Sequence, residues 1–443
     1  MAKIAFIALA HPDYITNGYA AKFSSAAADI VRQTANSLIF SGQLAANIAE
    51  AREEALAAIA ADADGVVLFL ASWMECPVAM AAVTELKHLP LLLWGFPMWE
   101  ENGQEHSTGS YVSYAMFRGV LGRVGLTFTE ALGMPGDPAI SQSISAFCAA
   151  ANAVKRLKRA KIGLVGYTSM SIYTGTFDHV LLRWLIGPEV EQSDSYSLIR
   201  RAESFSDSEC EAALCKLRAA AVISPDIGAA MLRKAMSLYL AVEELRSETD
   251  LDAVNVKCQY EFSKEYGMTM CVPLSLAAAP DFVTSCEGDI LCTVSMLILQ
   301  YLTGQVVAYG DAINHRDGVL KLSPCGFMPY ALSSGACEVR GFMPNVGFTG
   351  IQNSFTMKAG KVTLVRLVED VGTYHLVYFT GEGLASTKLR QGCMPALDIA
   401  PDCDLNSLVN NYSGQHFAIC YGDVTAELSE LAKMLHICAI RVK

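Results

Sequence analysis

A chain of 443 residues, 52% of them hydrophobic and 18% charged, can bury large cores and is long enough for two or three domains, which excludes a disordered protein. Its formal net charge of −12 argues against nucleic acid and anionic membrane as partners, because both are gripped through basic patches. The longest later apolar segment, 290–302, falls short of the roughly 20 residues that span a bilayer. The fourteen cysteines include no CxxC pair and many sit inside apolar runs, the pattern of reduced, buried thiols in a cytoplasmic protein.

In chain order, KIAFIALA at 3–10 reads as a buried strand rather than a signal peptide, since His11-Pro12-Asp13 follows with no small-residue cleavage site. Residues 44–61 have helical composition, and GVVLFLA (65–71) and LPLLLW (89–94) are further apolar strands. Strands alternating with helices predict a doubly wound, Rossmann-like α/β domain over 1–155. No GxGxxG follows the first strand, so a dinucleotide is not the obvious ligand. Between 96 and 111 lies a polar loop containing Trp99, Glu100, Glu101, Glu105 and His106, readable as a solvated crossover or as a loop reaching a ligand.

The basic run KRLKR at 155–159 marks a boundary, and KIGLVGY (161–167) opens a second α/β domain over 156–332. It contains two amphipathic helices, 209–221 and 227–246, and a strand at 253–258. In SCEGDILCTVSMLILQYLTG, Ser285 is an expected N-cap, Glu287 and Asp289 fall in a first helical turn that favours acids, and Gly304 follows the last apolar turn. A short strand at 305–309 then puts Asp311 just past a C-terminal strand end, where open α/β sheets bind their ligands. After residue 333 the texture turns to alternating runs such as GKVTLVRLVE and YHLVYFT, predicting an antiparallel β-rich domain over 333–443 that closes with a helix at 424–435 and a strand at 436–442. Taken singly, Glu287 could serve the helix dipole, Asp311 could open a turn, and His416 could be a structural histidine.

Taken together, CEGDI, a helix closing on LTG, a strand, Asp311 standing 24 positions after Glu287, and PCG at 324–326 resemble the core of the L-fucose isomerase and L-arabinose isomerase superfamily. The resemblance implies a C-terminal barrel and a divalent metal, Mn²⁺ or Mg²⁺, held by Glu287, Asp311 and the His416 of YSGQHFAICYGD. Two carboxylates and an imidazole with room for more oxygens suit an octahedral ion better than tetrahedral zinc. It also implies an aldose–ketose isomerase acting through an enediol, with Glu287 and Asp311 sharing ligation and proton transfer. Asp289 would stand behind the ligands or touch the substrate, and His315, Asp317, Trp99 and His106 are further candidates for substrate contact. The sugar stays open among a pentose, a 6-deoxyhexose and a modified hexose. A trimer-based or hexameric homo-oligomer is implied, with the metal at the seam of the second and third domains. Two departures stand out: Thr168 in GYTSMSIYTGTFD where relatives often carry arginine, and Pro324 where they often carry histidine. Cys325 reads as a packing thiol. The competing classes are a non-catalytic sugar-binding α/β protein and a nucleotide-dependent reductase.

Overall fold

The computed structural model describes residues 2–443 except 17, 36, 169–170, 343–346, 389–393 and 413. The chain forms two compact units, one of residues 1–155 with 426–436, the other of 156–425 with 437–443.

In the first unit the apolar runs do what their composition demands. Lys3–Leu9, Gly65–Leu70 and Leu91–Gly95 lie side by side in a parallel sheet with Ser37–Ile39 and Thr129–Leu132 at its edges. Such strands, covered by helices on both faces, are continuous rather than alternating in hydrophobicity. The helix expected over 44–61 starts later, at Ile48, because the Asn47 side chain accepts the amides of Ala49 and Glu50, while Leu44–Ala45 pairs as a strand. The polar loop is a small antiparallel hairpin, Trp99–Glu101 against Gln104–His106. Trp99 and His106 stack on each other, with Tyr19 and Phe23 against Trp99. This loop therefore has an aromatic seat inside its own unit, one that sequence distance hid. The helix Thr425–Met434 belongs to this unit as well, and Glu430 accepts the Thr129 hydroxyl.

The second unit contains a four-stranded parallel sheet in the order Glu189–Ser193, Lys161–Val165, Ala253–Val256, Val283–Cys286. Near the C-terminus six antiparallel strands close into a barrel: Gly360–Asp370, His416–Tyr421, Ala308–Arg316, Val319–Ser323, Leu397–Pro401 and Thr373–Leu384, the last pairing back onto the first. Cys438–Arg441 adds to Thr373–Leu384 in parallel. The helix Ile290–Thr303 packs against both the parallel sheet and barrel strands Gly360–Asp370 and His416–Tyr421, which explains why it is buried almost all round. No helix among the described residues is long and apolar enough to cross a membrane.

Two expectations are corrected here. Ser285 is not a helix cap but the third residue of Val283–Cys286, where pairing with Ala253–Val256 overrides its capping propensity; the cap is Asp289, whose side chain accepts the Cys292 amide at 2.9 Å. Asp311 does not follow a parallel strand. It sits inside barrel strand Ala308–Arg316, because the chain continues in extended pairing past Tyr309 instead of turning at Gly310-Asp311.

Candidate functional site

Three backbone positions meet at one buried spot. Asp311 and His416 are direct partners across antiparallel barrel strands, so their Cβ atoms are fixed as neighbours by register. Glu287 comes from the end of the parallel sheet, in the three-residue connection between strand Val283–Cys286 and helix Ile290–Thr303. That connection is tight: Glu287 has φ 72° and Gly288 φ 71°, left-handed conformations that cost a side-chain-bearing residue about 1–2 kcal/mol. Fully buried Asn255 holds the turn. Its Oδ1 accepts the Gly288 amide at 2.8 Å, and its Nδ2 lies 3.3 Å from the carbonyls of Cys286 and Asp289 and 3.0 Å from Thr293 Oγ1.

His416 is completely buried among carboxylates. Its Nδ1 lies 2.8 Å from Asp289 Oδ2, which fixes the ring. Its Nε2 lies 3.3 Å from both Glu287 Oε2 and Asp311 Oδ1, yet is aligned for a hydrogen bond with neither. A buried nitrogen 3.3 Å from two carboxylate oxygens is the geometry of a ligand set aimed at a common point. One donor atom from each of Glu287, Asp311 and His416 falls within 4.8 Å of the others. The residues therefore fit a divalent cation, with a carboxylate on the other imidazole nitrogen as metal-bound histidines ordinarily have.

Behind Asp289 stands Arg366, which sequence reading missed. Its guanidinium donates to Asp289 Oδ2 at 2.9 Å, to the His416 carbonyl at 3.1 Å and to the Thr174 carbonyl at 2.7 Å. Arg366 and Asp289 are each 1% exposed, a fully desolvated ion pair. The missed signal was one charged residue inside the apolar alternation VTLVRLV. Gly414 makes room for it: a Cβ there would come within 2.5 Å of Arg366 Nε.

The electrostatics follow from burial and neighbours. Burial pushes the Glu287 carboxyl up to about 7, the neighbouring Cys325 adding to this and His416 opposing it. Asp311 is raised chiefly by burial, against the pull of His416. For Asp289 burial acts upward too, but Arg366 and His416 outweigh it and hold the carboxyl well below the usual range. His416 is disfavoured as a cation by burial, yet the three carboxylates raise it well above an ordinary histidine. In the metal-free protein this cluster therefore retains protons at neutral pH.

The structure thus brings Glu287, Asp289, Asp311 and His416 together. His315 is exposed near the tip of its hairpin, where Arg316 pairs with exposed Asp317. Trp99 and His106 pack in the first unit. Cys325 is more than packing: its Sγ–H donates to Glu287 Oε1 at 3.2 Å. Part of the GYTSMSIYTGTFD turn, 169–170, lies outside the described residues.

No family model matches the chain. Among curated proteins, the sulfoquinovose isomerase of Alkalicoccus urumqiensis is 26% identical over 321 residues, 70% of this chain and 71% of that protein. Those of Priestia aryabhattai and Clostridium sp. (strain MSTE9) are each 26% identical, covering 70% of this chain and 70% and 71% of theirs. These similarities support an isomerase enzyme.

Proposed function

We propose that this chain is an aldose–ketose isomerase of the L-fucose and L-arabinose isomerase type, that it acts on a modified sugar, and that sulfoquinovose, the sugar named by its relatives, is the first substrate to test. The observation that carries the reading is His416 Nε2 held 3.3 Å from the carboxylates of both Glu287 and Asp311, one donor atom of each residue lying within 4.8 Å of the others. Glu287, Asp311 and His416 would hold a divalent cation, Mn²⁺ or Mg²⁺. When bound, it supplies Lewis-acid stabilisation of the oxygen charge that develops as the sugar's carbon acid ionises.

The chain's own residues supply the rest. Isomerisation moves a proton between C2 and C1 of the open-chain sugar, so one group must take it from one carbon and return it to the other. Glu287 and Asp311 are the two carboxylates within reach of one point, and either can serve once ionised. Without the cation, burial raises Glu287 to about 7; the cation would hold it ionised, the form a base needs. Asp289 and Arg366 keep the His416 ring from turning. The burial of Glu287 and His416 excludes water that would otherwise compete for the enediol proton.

A homo-oligomer, trimer or hexamer, belongs to the same proposal and rests on the family resemblance, and a cytoplasmic location rests on the scattered cysteines without a CxxC pair. The test is turnover of sulfoquinovose and of unmodified aldoses by purified protein, after chelation and after readdition of Mn²⁺. Ketose formed with Mn²⁺ and lost in chelator supports the reading. No ketose from any sugar under either condition overturns it.

A further inference from the structure

Glu287 has two faces, and only one of them looks at His416. Its Oε2 points to the histidine, while its Oε1 accepts from the Cys325 thiol at 3.2 Å. A second thiol, Cys286, belongs to the residue just before Glu287, and the two sulfurs and a Glu287 oxygen all lie within 4.8 Å of one another. We propose that Cys286, Cys325 and Glu287 form a second, sulfur-rich cation site that takes a thiophilic divalent ion such as Zn²⁺ or Cd²⁺.

The donor chemistry separates this site from the neighbouring one. Two thiolates and one carboxylate are a soft set that selects zinc-like ions, whereas two carboxylates and one imidazole suit harder ions. Tetrahedral zinc, with Zn–S about 2.3 Å and Zn–O about 2.0 Å, keeps its donors roughly 3.5 Å apart, and water can fill the fourth position. The existing Sγ to Oε1 separation of 3.2 Å is already in that range. Binding replaces the two S–H protons, which leave to solvent, with two metal–sulfur bonds, and no oxidant or reductant is needed. Tyr309 OH lies 2.8 Å from Cys286 Sγ and can donate to it, and the turn carrying Glu287 is already fixed by Asn255. Cys286 and Tyr309 are both buried, so these partners are shielded from bulk water.

Because one glutamate serves both sets, a thiophilic ion would compete with the hard cation for Glu287. That consequence, unlike the sulfur site itself, rests on the proposed function. The intact chain, freed of metal and reduced, is titrated with Cd²⁺ while the ultraviolet sulfur-to-cadmium charge-transfer band is followed. The wild type should show a saturable band. Cys325→Ser, a conservative change at a partly exposed residue, should remove that saturable component, and Cys215→Ser, at an exposed thiol elsewhere, should leave it. Asp311→Asn removes a ligand only of the oxygen-rich set and should retain the band. No saturable band in the wild type, or the same band in Cys325→Ser, overturns the proposal. A band with the expected variant pattern in a protein that isomerises no sugar sustains this inference and refutes the proposed function instead.

Discussion

Replacing Arg366 with Met tests whether the site is held from behind. The guanidinium of Arg366 satisfies three acceptors at once, buried Asp289 Oδ2, the buried His416 carbonyl and the partly exposed Thr174 carbonyl. Methionine fills much of the volume but donates nothing. Removing one partner of a buried ion pair costs about 3–5 kcal/mol, because the other charge stays desolvated. Each carbonyl left without a donor adds about 1–3 kcal/mol, less where water enters. A loss of at least about 4 kcal/mol is expected, a large share of the roughly 5–15 kcal/mol that stabilises a typical domain. A chain with two compact units need not unfold in one step, so the assay is hydrogen exchange of barrel peptides along a urea series. Asp289→Asn in the same background should recover part of the loss, since the stranded charge disappears. With Arg366→Met alone, Asp289 still meets His416 Nδ1 but is no longer held from behind, and metal affinity should fall about 10–100-fold by analogy with other groups that orient ligands. A loss under about 1 kcal/mol, or a double variant no more stable than Arg366→Met, would refute the reasoning.

Gly414→Ala should destabilise the same peptides and weaken metal binding without touching any ligand, because its Cβ would press on a guanidinium that cannot swing away; thermal unfolding and a metal titration check this. Asn255→Leu should cost about 1–3 kcal/mol through the unpaired Gly288 amide and lower turnover by releasing the Glu287 turn, read by urea unfolding and initial rates. The pH dependence has a definite sign. Glu287, raised from 4.5 to about 7 on folding, contributes stability that is full below 4.5 and lost as pH rises through about 7. His416, raised above 6.5, adds a loss of the same sign through its own higher folded value, and Asp289, lowered from 3.8, acts only in acid. Metal-free protein should therefore lose up to about 3 kcal/mol from Glu287 alone between about pH 5 and 8, while metal affinity rises over the same interval; calorimetry with and without Mn²⁺ measures both.

Much of the fold was legible because buried parallel strands announce themselves. KIAFIAL, GVVLFL and LLLWG have no alternation to misread. The site was legible only as a resemblance, since Glu287, Asp311 and His416 each have an ordinary structural use. What the sequence hid was pairing. Nothing local in AYGDAINHR says that Asp311 stays extended, because the partner that makes it so, His416, lies 105 positions on by subtraction of the residue numbers. Ser285 likewise looked like a cap until Ala253–Val256 claimed it for a sheet. Arg366 was visible as a misfit in an apolar strand, but its target was not.

These corrections change the physical picture of the candidate site. With Asp311 and His416 on adjacent barrel strands, two of the three donors are set by sheet register alone, and that register cannot slip by one residue without turning every apolar side chain of the strand outward. Only Glu287 comes from outside the barrel, on a turn whose left-handed backbone is disfavoured and is retained by Asn255. The arrangement therefore has one rigid half and one held half, and the held half carries the carboxyl raised to about 7 by burial. Under the proposed function, a group that exchanges protons gains from such a position. The strain at φ 72° and the desolvation both favour relaxation of Glu287, and they are opposed by Asn255 on the turn and by His416 Nε2 3.3 Å from the carboxylate, whose place a bound cation would take. On this account, variants that loosen the turn should change proton transfer before they change the barrel, whereas variants behind His416 should do the reverse.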